Sequence, residues 1–181
     1  MKEFVLFSLI IFASMKNLRN LDDFDWDKVY NELILKHNIL RSTHNATALT
    51  KLNDIAELCK DTLEVCVNEG SLIHSELSYK GEPLGQNLYL ESGYPSADNI
   101  LDSWYYMEKK YYDYEKGSPP SHFTQVIWKG SKQIGCAYQV GPWKDFPNSY
   151  YVCCNYFPAG NLLSKMVENV QKPVDPYGKS G

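Results

Sequence analysis

The chain reads as a single α+β domain in which helices cover a mainly antiparallel sheet. Three observations predict this: amphipathic helical segments dominate its first two thirds, two strand-like segments pair late, and nothing alternates strand with helix as a parallel fold would. With 181 residues, 44% of them hydrophobic, it can bury one core but hardly two. One domain is the expectation.

Asp25 can cap a first helix whose apolar positions Val29, Tyr30, Leu33, Ile34 and Leu40 recur at helical spacing, running to about residue 42. A second helix fits residues 52 to 67. Ile55, Leu58, Cys59, Thr62 and Leu63 lie on one side of it, with Asp54, Glu57, Lys60, Asp61 and Glu64 mostly on the other. Gly70 breaks it and opens a loop rich in Gly and Pro. Ser96 can then cap a third helix carrying Ile100, Leu101, Trp104, Met107, Glu108 and Tyr111. Ser118-Pro119-Pro120-Ser121 opens a short helical turn from His122 to Trp128, because Pro is tolerated at a helix entry and not inside.

Two strands follow, around Ile134 to Val140 and Tyr150 to Phe157, joined by a turn-rich link from Gly141-Pro142 to Pro147-Asn148. Side chains alternate across a strand, so only one of Cys153 and Cys154 can face Cys136. Cys59 and Cys66 are seven residues apart in a helical pattern, about 10 Å of rise, too far for a bridge within one helix. Cys59 is expected as a buried core thiol. The stretch from Lys172 to the terminus, with two prolines and two glycines, reads as a loose tail over 171–181.

A formal charge of -4 with scattered basic residues gives no electrostatic footprint for nucleic acid. The first twenty residues pair a short charged start with an apolar run from Phe4 to Ala13. The run is too brief to cross a bilayer and has the shape of a signal peptide cleaved between Ala13 and Asn20. An oxidising compartment favours disulfides, and with five cysteines one thiol lacks an internal partner. Asn45-Ala46-Thr47 is a glycosylation sequon.

Two strings carry a sharper signal: Ser121-His122-Phe123-Thr124-Gln125-Val126-Ile127-Trp128, and Tyr151-Val152-Cys153-Cys154-Asn155-Tyr156-Phe157-Pro158-Ala159-Gly160-Asn161. In this order they resemble the CAP superfamily of cysteine-rich secretory proteins, insect venom antigen 5 and plant pathogenesis-related proteins. A Gly is more usual at Ser121. The resemblance covers residues 25 to 170 and implies a three-layer α-β-α sandwich, a Cys136–Cys154 bridge, and a cleft lined by two histidines and two acids. His122 matches the second histidine, and His74, in Ile73-His74-Ser75, the first. The first acid is replaced by Gln86 in Gly85-Gln86-Asn87-Leu88, a change also seen in antigen 5. The second is Glu108, provided one residue has been inserted near Tyr105 or Tyr106.

His74, His122 and Glu108 form a plausible divalent cation site, zinc for example, weakened by Gln86. Gln86 can still orient an imidazole by hydrogen bonding. No Gly-x-Ser-x-Gly elbow or His-Glu-x-x-His string is present, so no catalytic residues are assigned. The expected function is a secreted, non-enzymatic monomer or weak dimer binding a small lipid (fatty acid or sterol) or an extracellular protein partner. Its rivals are a cation-dependent hydrolase or cation-gated binder, and a surface-acting toxin or immune modulator. Only seven residues separate Tyr114 from His122, so the long aromatic loop of sterol-exporting relatives is missing. The 14% aromatic content suits an amphipathic groove.

Overall fold

The computed structural model describes residues 24–174; the signal-peptide expectation lies outside the described residues. Helix α1 (Trp26–Ser42) starts where Asp25 accepts a hydrogen bond from the Lys28 amide. After a two-residue strand β1 (Thr50–Lys51), α2 (Asn53–Glu69) ends at Gly70, whose φ of 61° supplies the left-handed C-cap. A small hairpin, β2 (Ser78–Tyr79) and β3 (Glu82–Pro83), leads into β4 (Gly85–Glu91). A continuous helical stretch comprises α3 (Ala97–Leu101), a π turn (Asp102–Tyr106) and α4 (Met107–Lys109). Helix α5 (His122–Val126), strands β5 (Gln133–Trp143) and β6 (Phe146–Phe157), and α6 (Met166–Asn169) complete the chain.

The sheet order is β1-β5-β6-β4. All pairings are antiparallel except β1 with β5. Helix α2 covers one face, burying Cys59, Leu63 and Cys66 against Leu88, Tyr151 and Cys153. Helices α1, α3 and α5 cover the other, where Tyr30, Leu33, Trp104, Phe123 and Trp128 meet Ile134, Val152 and Tyr156. These are the three expected layers.

Four sequence expectations change. The Gly/Pro-rich stretch after α2 contains β4, paired with β6 over its whole length. Its alternation is masked because both faces are covered by helices. The turn-rich link is mostly strand: β5 and β6 run to a tight turn at Lys144-Asp145, with a bulge near Gly141 absorbing Pro142. Cys59 is not a free thiol but is bonded to Cys153, 94 residues away. The physical reason is the same alternation that sends Cys154 to Cys136: the neighbouring Cys153 must face α2, where Cys59 waits. Cys66 is the free cysteine. Finally, the tail is docked as far as residue 174. The Gln171 carbonyl accepts from His44 Nδ1, and the Val174 amide donates to the Thr43 carbonyl.

Arg41, in the last turn of α1, is fully buried. Its guanidinium donates to the carbonyls of Thr47, Val126, Trp128 and Ser131. These bonds hold the chain leaving α5 and meet the donor demand of a buried guanidinium. Burial lowers its pKa to about 10. The sequon residue Asn45 is exposed in a left-handed conformation just past α1. Among the described residues no helix is long and apolar enough to cross a membrane.

Candidate functional site

The four residues expected around one cleft fall into two pairs, and of these only His74 and Gln86 line the cleft described below. The first is built on α5, whose entry is fixed by a capping box. Ser121 Oγ accepts from the Thr124 amide, and Thr124 Oγ1 accepts from the Ser121 amide. Asn161 tightens that entry, accepting from Thr124 Oγ1 at 2.6 Å and donating to the Ser121 carbonyl at 3.0 Å. His122 therefore leaves the first turn in a fixed direction. Its Nδ1 lies 2.6 Å from Glu108 Oε1, while Glu108 Oε2 accepts from the Phe123 amide at 2.9 Å. The carboxylate thus sits where a helix N-terminus favours negative charge. The imidazole stacks on the buried Trp104 ring, 6.2 Å between centroids. Burial alone would raise the Glu108 pKa, but the His122 and Phe123 hydrogen bonds outweigh it and hold the group below its ordinary value.

Glu108 reaches His122 because of the π turn. The Met107 amide bonds back to the Asp102 carbonyl, five residues earlier instead of four. One extra residue is thereby accommodated inside the helix. One surplus residue is what the expected insertion near Tyr105 or Tyr106 would add; Tyr106 and Met107 here are 58% and 64% exposed. The shift in helical phase leaves Met107 facing outward and turns Glu108 toward His122.

The second pair hangs from β4. Gln86 Oε1 accepts from His74 Nδ1 at 3.0 Å and from the Ser75 amide at 3.3 Å, while Gln86 Nε2 donates to Thr62 Oγ1 and Asn155 Oδ1. Its amide orientation is determined by a chain of bonds. Asn155 Nδ2 must donate to the Ile55 carbonyl, so Asn155 Oδ1 accepts and Gln86 presents its nitrogen there. The Gln86 oxygen then faces His74, which must carry its proton on Nδ1. His122, bonded to a carboxylate through Nδ1, is set the same way. In the neutral form, each imidazole then presents Nε2 as its acceptor nitrogen.

The pairs join through β4. Gln86 is followed by Asn87, whose Nδ2 donates to the His122 carbonyl at 3.2 Å and to Tyr156 Oη at 3.4 Å. No hydrogen bond among the described residues links one pair directly to the other. Likewise, among them no three His, Cys, Asp or Glu side chains gather into a group that could hold a metal ion. Glu108 and Gln86 are instead engaged in orienting the two imidazoles.

A cleft of about 460 Å³ opens beside the second pair, lined by His74, Gln86, Leu77, Leu84, Gln125 and Asn161 among others. Gln125 was quoted in the signature string without a role. It is fully buried, donating from Nε2 to Ser131 Oγ and accepting at Oε1 from the Gly160 amide. A Cβ at Gly85 would lie 2.1 Å from Gln125 Oε1, and one at Gly160 2.6 Å. Both positions must be glycine for the cleft floor to close on that amide.

A second recess of about 220 Å³ lies between α1 and the α3 stretch, lined by Lys36, Ile39, Leu40, Asp98, Leu101 and Tyr106. Leu35, one turn before Ile39 on α1, is also exposed. Periodicity hid this recess, because Leu35 and Ile39 lie off the stripe that faces the core.

Comparison with known proteins agrees with this architecture. The family model described as the cysteine-rich secretory protein family matches residues 34–156. Secreted protein RBT4 of Candida albicans is 32% identical over 153 residues, 78% of this chain and 40% of that protein. The human Golgi-associated plant pathogenesis-related protein 1 is 30% identical over 148 residues, covering 80% of this chain and 93% of its own length. The chain spans less than half the length of the first curated relatives it matches. Among solved structures, the crystal structure of NaASP2 with Zn2+ superposes with a TM-score of 0.59 at 20% identity, covering 86% of this chain and 90% of that one. With the sandwich, the Cys136–Cys154 bridge and both signature strings in place, the chain belongs to the CAP family of cysteine-rich secretory proteins.

Proposed function

We propose that the protein acts outside the cell as a non-catalytic carrier of a single-chain fatty acid, held in the recess between α1 and the α3 stretch. The observation that carries this reading is the recess itself, with Ile39, Leu40, Leu101 and Tyr106 for an acyl chain and Lys36 at its rim for a carboxylate. At about 220 Å³ it falls below the range of roughly 300–1,000 Å³ that takes drug-sized ligands, which favours a slim chain over a fused-ring sterol. The short Tyr114-to-His122 connection points the same way. Against hydrolysis, no Ser, Thr or Cys side chain among the described residues hydrogen-bonds either imidazole. An extracellular setting accords with the two disulfides, with the signal-like start and with a relative named as secreted. We read exposed Asn45 as a glycan acceptor in that setting.

The test is direct titration of the purified protein with a fluorescent fatty acid, beside Ile39→Asp/Tyr106→Ala. Both residues are more than half exposed, so the fold survives the change. Saturable binding by the native protein and its loss in the variant are expected; equal binding by both removes the recess from the reading.

A second reading, a divalent cation that His74 and His122 would hold, is favoured by one observation: both Nδ1 atoms are already satisfied, leaving each Nε2 for a ligand. A bound cation would supply Lewis acidity, with Glu108 and Gln86 as orienting groups. Calorimetry with zinc on native protein and His122→Ala tests it, and equal affinity would exclude His122.

A further inference from the structure

Lys36 and Asp98 are the charged residues lining the recess, and they are bonded to each other across its mouth. Lys36 comes from the middle of α1 and Asp98 from the first turn of α3. Their side chains are 33% and 73% exposed. The lysine stem lies along apolar neighbours while its ammonium stays at the rim, and the carboxylate projects into solvent. Glu32, one turn earlier on α1, and the Tyr106 hydroxyl are the other groups whose fields reach that ammonium. The hydrogen bond to Asp98 is the main influence raising its pKa above the ordinary lysine value.

This arrangement has a chemical consequence for any amphiphile that enters. A fatty acid lying on Ile39, Leu40 and Leu101 brings its own carboxylate to the position Asp98 now holds. Exposed ion pairs are weak and exchange partners readily. We infer that Lys36 is the headgroup-selecting residue of the recess and that Asp98 is its built-in competitor, released when a ligand carboxylate takes its place. The inference rests on the fatty-acid reading above. It makes the recess selective for ionised acids over neutral chains of the same length, by charge complementarity at one atom, Lys36 Nζ. It also implies that the unliganded chain holds its own selectivity in check, because Asp98 must be displaced first.

The experiment uses palmitic acid and hexadecanol as competitors of a fluorescent fatty acid, against native protein, Lys36→Met and Asp98→Asn. Native protein is expected to prefer the acid by about three- to tenfold, the scale of one exposed ion pair. In K36M the two competitors should be equal, with hexadecanol affinity retained. In D98N the acid should bind several-fold more tightly than to native protein, with hexadecanol unchanged. Circular dichroism confirms that both surface variants are folded. An unchanged acid-to-alcohol ratio in K36M, or native acid affinity in D98N, overturns the inference while leaving the carrier reading intact. Failure of native protein to bind either competitor overturns both.

Discussion

The two imidazole pairs solve the same problem, orienting a ring through Nδ1, by opposite means. In one pair a charged carboxylate holds His122 while also accepting the Phe123 amide, and the ring rests on a buried tryptophan. In the other a neutral amide holds an exposed His74 in the segment between α2 and β2, and that amide is itself held by Thr62 and Asn155. The difference teaches that rigidity here comes from what stands behind the hydrogen-bond partner. Glu108 is positioned by a helix that required a π turn to deliver it, whereas Gln86 is positioned by the sheet. Only the first pair couples geometry to charge.

The largest contrast is expected from removing the carboxylate. Glu108→Ala strands the buried Phe123 amide and should destabilise the fold by about 1–3 kcal/mol in urea denaturation at pH 7. A loss below about 0.5 kcal/mol would show that the charged pair is not the rigid one.

The same contrast sharpens with pH. The folded pKa of Glu108 lies below its ordinary value of 4.5. Its contribution is therefore complete above pH 4.5 and is lost as pH falls through the folded value, so the gap between native protein and Glu108→Gln should narrow in acid. Burial drives His37 down to about 4, so the unfolded chain takes up that proton first and every variant loses stability from about pH 6.5 downward. The difference between the two proteins cancels that shared slope. For Gln86→Leu the gap to native protein should not narrow in this range; a parallel narrowing would show that the acid response does not belong to Glu108.

Smaller still is the response to losing the exposed ring. His74→Ala should shift stability by no more than about 0.5 kcal/mol, while His122→Ala, which forfeits both the carboxylate bond and the Trp104 stack, should lose about 1–2 kcal/mol. Equal effects would erase the distinction between the pairs. The last contrast is in cation affinity: Gln86→Glu adds a negative charge beside His74 and should tighten zinc binding in calorimetry by about twofold, and no change would argue against a cation at this pair.

Much of this was legible in the sequence, and what was not had local causes. Asp25 and Ser96 marked their helix starts because side-chain caps leave a residue-type signature, and the start at His122 was marked by the prolines before it. The spacing conflict around Glu108 could be seen as one surplus residue. Its resolution inside the helix could not, because a π turn has no composition of its own. Strand β4 was missed because Gly85 is there for the Gln125 contact, not for a turn. The Cys59–Cys153 bridge was within reach of strand alternation, but helical periodicity made Cys59 look like an ordinary core residue. The recess between α1 and α3 depends on how two helices pack, which no single-helix pattern contains.

Cys66 draws one more consequence from the fold. Its sulfur is fully buried and engaged with the backbone of Ile73, accepting from the amide at 3.3 Å and facing the carbonyl at 3.4 Å. A leftover thiol in an oxidising environment ordinarily invites a covalent link to a second molecule. Here the odd count of cysteines carries no such obligation, because the unpaired one is spent on closing the chain that leaves α2.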